Sequence, residues 1–137
     1  MQPKTTTALL LIAHGSRNSG ANLDLVEMAE ALRIEGHQTV EHCYLEIAEP
    51  SIQAGGLRCV MPGITTILML PYFLSAGIHM QRDLEQARVT LERQFPGVQF
   101  VLAKPLGPHS MLLELLKWRG SEALNSVNYR SSPPVNE

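Results

Sequence analysis

Four short apolar runs alternate with longer segments of helical periodicity, and this alternation constrains the fold more than any other feature of the chain. The first run predicts a strand over Ala8–Ala13. A helix from near Arg17 to Glu35 follows, with Ala21, Leu25, Met28, Ala29 and Leu32 at helical spacing and Gly36 as its stop. A second strand is expected over Val40–Leu45, then a helix opening at Pro50 that Gly55 and Gly56 should weaken. The third strand, Thr65–Leu70, is β-branched and apolar on both faces, as a central parallel strand should be. Next comes a helix from Gly77 to Phe95 with the stripe Met80, Leu84, Ala87, Leu91, ended by Pro96-Gly97. A strand over Val98–Ala103 and a helix after Gly107-Pro108, carrying Leu112, Leu115, Leu116 and Trp118, complete the pattern. The reading is an α/β fold: a parallel four-stranded sheet with helices on both faces.

The 137 residues suffice for one domain with a real core. We expect that domain over residues 1–119. Residues 120–137, rich in Ser, Asn and Pro, should form a short helical extension and then a disordered tail. A net charge of −2 gives no global field for nucleic acid or an acidic membrane, and no basic-aromatic interleaving suggests a nucleic-acid partner. No apolar run approaches the roughly 20 residues of a spanning helix, and the first residues lack a signal-peptide layout. Cys43 and Cys59 form no CxxC pair and Cys59, in an apolar setting, reads as a bland buried thiol, so a reduced, cytoplasmic protein is expected.

Parallel strands bring the segments that follow them to one rim, where open α/β sheets keep their ligands. Here those segments carry His14, Ser16 and Arg17; then Glu46; then Tyr72, Ser75 and His79; then Lys104 and His109. Three of the five histidines therefore meet at one edge, while His37 and His42 read as surface or satisfied side chains. His14 and His79 are candidate ligands of a divalent transition metal, because neutral imidazole suits Co, Ni, Fe and Zn. Two histidines and a carboxylate leave coordination positions open. Asp83, four residues after His79, is placed to accept its other ring proton. Glu46 reads either as a general base or as a turn anchor, and Arg17 and Arg82 either as carboxylate clamps or as solvated charge. His109 either caps the last helix or touches ligand. The chain has no GxxxxGK[ST] loop, no GxGxxG after the first strand and no GxSxG elbow, which argues against nucleotide, dinucleotide and serine-hydrolase sites.

The ordered series His14-Gly15-Ser16-Arg17, Leu45-Glu46-Ile47-Ala48-Glu49-Pro50-Ser51, Pro71 through His79 with Asp83, and Leu106-Gly107-Pro108-His109 resembles the sirohydrochlorin chelatases, in particular the small single-domain cobaltochelatases of the CbiX type. The resemblance covers about residues 8–118. It implies a class II chelatase fold, a flavodoxin-like three-layer structure. It implies a lyase that inserts a divalent metal into sirohydrochlorin without ATP or an organic cofactor: cobalt first, with iron or nickel as alternatives. A non-catalytic metal or tetrapyrrole carrier on the same fold is the rival of another class. His14 and His79 match the family's metal-binding pair and Glu46 its active-site glutamate. His79 or Glu46 would take the two ring N–H protons displaced by the metal. Ser16, Arg17, Tyr72, Ser75, Arg82 and His109, together with Lys104, would meet the carboxylate-rich ring, with Phe73 and Ile78 flanking it or, for Phe73, packing in the core. Larger relatives carry two such domains in one chain, so the resemblance also implies a homodimer. Glu85 departs from the family pattern, where many relatives have proline.

Overall fold

Each apolar run becomes a strand: β1 (Thr7–Ala13), β2 (Val40–Tyr44), β3 (Thr66–Pro71) and β4 (Gln99–Leu102). Between them lie the helices α1 (Ser19–Ile34), α2 (Ile52–Cys59) and α3 (Ile78–Gln94), and α4 (Ser110–Ser131) ends the series. The structure, a computed structural model, describes residues 6–36 and 39–131. His37 and the expected tail disorder from Ser132 onward fall outside those residues. By its internal packing the chain divides between Leu106 and Gly107. The first unit holds the sheet with α1, α2 and α3, and the second holds α4, which passes through Gly120 without a break.

All strand pairs are parallel, in the order β2-β1-β3-β4. The chain leaves β1 toward β2 on one side, while β3 lies on the other. This makes β1 the point where the winding reverses, and a crevice opens there at the C-terminal edge. Register aligns the exits: Ala13 lies opposite Tyr44, and Ile12 opposite Pro71. The ladder continues past the strands through Leu45 N–H to Ala13 O at 3.0 Å and Tyr72 N–H to Ile12 O at 2.7 Å.

Alternate residues of the strands feed two cores, as the period of two requires. On one face Ala8, Leu10, Ile12, Ile67, Met69 and Phe100 pack with Ile52 and Cys59 of α2 and Leu84 and Leu91 of α3. On the other face Leu9, Leu11, Val40 and Tyr44 pack with Leu25 and Ala29 of α1. The result is the expected three-layer arrangement. The stripe on α1 is narrower than its periodicity suggests, because Ala21 and Met28 stand exposed.

Gly55 and Gly56 do not interrupt α2, contrary to their propensity. They are what lets the helix sit so close. A Cβ at Gly55 would lie 2.7 Å from the Cys43 Cβ and 3.0 Å from Leu10, and one at Gly56 would lie 2.7 Å from Leu91. Tertiary packing overrides a helix cost of about 1 kcal/mol per glycine. Both cysteines are buried, and burial raises both thiols, Cys59 to about 12. They are inert packing groups. His42 is not the satisfied side chain expected: its Nδ1 is buried without a partner, and burial lowers its pKa. Its ring stands edge-on to Tyr44 at 5.8 Å between centroids.

Candidate active site

The turn after β1 can exist only with glycine at its second position. Gly15 has φ +100°, and a Cβ there would sit 1.9 Å from the Glu46 carbonyl oxygen. With no side chain in the way, the two loops touch: Glu46 N–H donates to His14 O at 3.2 Å. Asn22 on α1 then clamps the turn, accepting from Ser16 N–H at 2.9 Å and donating to Ser16 O at 2.7 Å. The Tyr44 hydroxyl donates to Asn22 O at 2.7 Å and ties the same helix to the end of β2.

This frame brings His14 Nε2 to 3.0 Å from Glu46 Oε1, with the two side chains 55% and 60% exposed. A contact so open to water contributes at most about 1 kcal/mol. Its geometry is therefore set by the backbone beneath it. The contact sets the Glu46 carboxylate beside the Nε2 edge of the His14 ring. Beyond Glu46, Ile47 sits at φ 72°, and Ala48 N–H donates to Glu46 O at 2.7 Å. This is a three-residue turn centred on a β-branched residue in left-handed backbone, a strain of about 1–3 kcal/mol. The Ile47 side chain is exposed, so its own burial does not offset that strain.

His14 and Glu46 line a cavity of about 500 Å³ together with His79 and Asp83 from the first turns of α3. Leu45, Ser51, Ile52, Gln53, Met80 and Ala87 complete the wall. Three of the residues singled out from sequence as catalytic thus share one cavity. Pairing differs from expectation: the histidine that holds a carboxylate is His14, on Glu46, whereas the sequence pointed to His79 on Asp83. Among the described residues, no three His, Cys, Asp or Glu side chains converge closely enough to hold a metal ion.

The residues read as substrate contacts are more dispersed. Arg17, Ser75 and Lys104 are exposed at the ends of their strands. Ser16 Oγ accepts from Asn18 N–H at 3.0 Å within its own turn. Tyr72 packs partly buried on the α1-side core, and Phe73 on the opposite core. Arg82 lies on a separate groove along α3 with Glu85, Gln86, Val89, Thr90 and Arg93. Glu85, the departure from the family pattern, bonds Arg88, whose guanidinium lowers its pKa. In the second unit, His109 Nδ1 accepts from Met111 N–H at 3.1 Å, a capping role at the start of α4.

Sequence reasoning missed Gln53 and Asn22. Asn22 carries no signal in a one-dimensional pattern. Gln53 could have been found from Ser51, whose Oγ accepts from Ala54 N–H at 3.2 Å and so starts α2 beside the β2 exit.

The CbiX family model matches residues 8–123. The chain belongs to the CbiX family. Its relatives include the chloroplastic sirohydrochlorin ferrochelatase of Arabidopsis thaliana, 32% identical over 120 residues, 87% of this chain and 53% of that protein. The sirohydrochlorin cobaltochelatase of Sulfurisphaera tokodaii is 31% identical over 118 residues, 86% of this chain and 94% of that one. The chain thus spans about half of the plant relative and nearly all of the archaeal one. A crystal structure of a CbiX protein from Marinobacter aquaeolei VT8 superposes with a TM-score of 0.76 at 28% identity, covering 88% of this chain and 98% of the other. Among the described residues, no helix is long and apolar enough to cross a membrane.

Proposed function

We propose that this chain is a cytoplasmic metallochelatase that inserts a divalent metal, cobalt in the first instance, into sirohydrochlorin without ATP. The observation that carries the reading is the shared cavity: His14, Glu46 and His79 line it at the C-terminal edge of a CbiX-family sheet. Relatives named for cobalt and for iron chelation stand at nearly equal identity, so iron is the first alternative and nickel the second. The metal is a substrate here. Two imidazoles from His14 and His79 would hold it weakly enough to pass it to the ring nitrogens. Metal entry displaces two ring N–H protons. Glu46, alone or through His14, and His79 are the groups placed to accept them. Ser16, Arg17, Tyr72 and Ser75 of the first unit are assigned to the ring and its carboxylates, and a homodimer would wall the open side.

The test is anaerobic incubation of the purified chain with sirohydrochlorin and Co²⁺, Fe²⁺ or Ni²⁺, followed by the change in ring absorbance, with sedimentation to read the oligomeric state. The proposal expects insertion well above the spontaneous rate, fastest with cobalt. Stoichiometric binding without turnover would make the chain a carrier and overturn the enzyme reading.

A further inference from the structure

Among the described residues, two buried side-chain polar atoms lack a hydrogen-bond partner: His42 Nδ1 and Gln53 Oε1. Of these two residues, Gln53 lines the cavity that holds His14, Glu46 and His79. We propose that Gln53 is a substrate-binding residue whose side-chain carbonyl accepts a hydrogen bond from a ring N–H of the metal-free tetrapyrrole. The inference rests on the chelatase reading above and deepens it.

A carbonyl oxygen shielded from water and left unpaired is costly, and native structures rarely leave one without a reason. The neighbours offer Gln53 little. The ionised Glu46 carboxylate can only accept, and no donor among the described residues, the Ser51 hydroxyl included, lies within hydrogen-bond reach of Gln53 Oε1. The side chain itself is adaptable, with two ordinary torsions and a broad terminal one, so the amide can turn into the cavity while α2 stays in place.

The identity of the partner follows from hydrogen-bond inventory. A carbonyl oxygen needs a donor. The peripheral carboxylates of the substrate are ionised at neutral pH and only accept. The ring N–H groups at the centre of the metal-free macrocycle donate. They are also the groups that disappear when the metal enters. The Gln53 bond would therefore favour the unmetallated ring over the product, which lets the product leave.

Equilibrium titration of wild type and Gln53→Met with sirohydrochlorin and with its cobalt complex, read by absorbance, tests this. The methionine variant should bind metal-free sirohydrochlorin about threefold to tenfold more weakly, the worth of one neutral hydrogen bond. It should bind the cobalt complex as wild type does, and its thermal midpoint should not fall. Equal weakening toward both ligands would mean that the amide nitrogen meets a peripheral carboxylate, and would overturn the proposal. Unchanged binding of both would overturn it too. Gln53→Leu repeats the measurement should the methionine variant fail to fold. If the wild type binds sirohydrochlorin but inserts no metal, the chelatase reading fails separately from the Gln53 assignment.

Discussion

The two histidines of the cavity are held in opposite ways. His14 sits in a corner locked on several sides: Gly15 against the Glu46 carbonyl, a backbone bond from Glu46 to His14, the Asn22 clamp and a carboxylate on its ring. His79 sits on the second residue of α3, whose N-cap, Gly77, supplies no side-chain hydrogen bond. Its neighbour Ile78 is exposed. The difference suggests a division of labour. On the chelatase proposal, the β1–β2 corner would fix a geometry, and the α3 terminus would present a group free to adjust as ring and metal arrive.

The largest effects should come from the groups themselves. His79→Ala and His14→Ala are each expected to lower metal insertion by about 10²- to 10⁴-fold, the range for one positioned acid–base group. Circular dichroism should show both variants folded, because both side chains are exposed. If the corner works as a unit, Glu46→Gln costs nearly as much as His14→Ala, and the double variant little more. Fully additive losses from His14 and Glu46 would break the picture of a locked pair.

Next in size is the lock. Gly15→Ala forces a side chain into left-handed backbone and to within 1.9 Å of the Glu46 carbonyl oxygen, so one of the two loops must shift. Urea unfolding should show a loss of about 3 kcal/mol. The equivalent change at Gly77 meets open space and φ −70°, so Gly77→Ala should cost far less. Similar losses at both positions would erase the contrast.

The legibility of these regions in the sequence divides along the same line. Strands, helices and the parallel sense of the sheet were readable because hydrophobic period and turn residues are local signals, and His14, Glu46 and His79 could be placed at one edge because parallel strands share an exit. What could not be read depends on approach in space. Gly55 and Gly56 look like helix breakers until Cys43, Leu10 and Leu91 are seen against them. The partner of Glu46 turned out to be His14 because Gly15 lets two loops touch, a contact spanning 32 residues that no spacing rule encodes. Ile47 shows no mark of strain in the sequence, since only its backbone angle reveals the turn it centres.

A smaller effect probes the strand that feeds the corner. Burial lowers the pKa of His42 below the ordinary histidine value of about 6.5. Above that pH both folded and unfolded states carry it neutral. As pH falls below it, the unfolded chain takes up the proton first, so stability declines toward the folded-state pKa. Urea midpoints from pH 7.5 to 5 should fall, and His42→Leu should flatten that fall. Glu41 pulls the other way, and Arg33 and Arg58 add to the lowering. An unchanged slope in the leucine variant would assign the acid sensitivity to other groups and leave β2 neutral in it.

The smallest expected effect is the most pointed for the contrast between the two histidines. Gly77→Ser supplies α3 with the cap it lacks, in backbone that serine adopts freely and with nothing within 4 Å of its Cβ. A serine N-cap exceeds glycine by only a few tenths of a kcal/mol, so the melting midpoint should rise slightly. Insertion by this variant decides what the missing cap means. If activity is unchanged, the uncapped terminus is incidental, and His79 is as fixed as His14. If activity falls while stability rises, the terminus must stay open or mobile for the ring to approach, which is the trade expected where a functional site keeps a weak local structure.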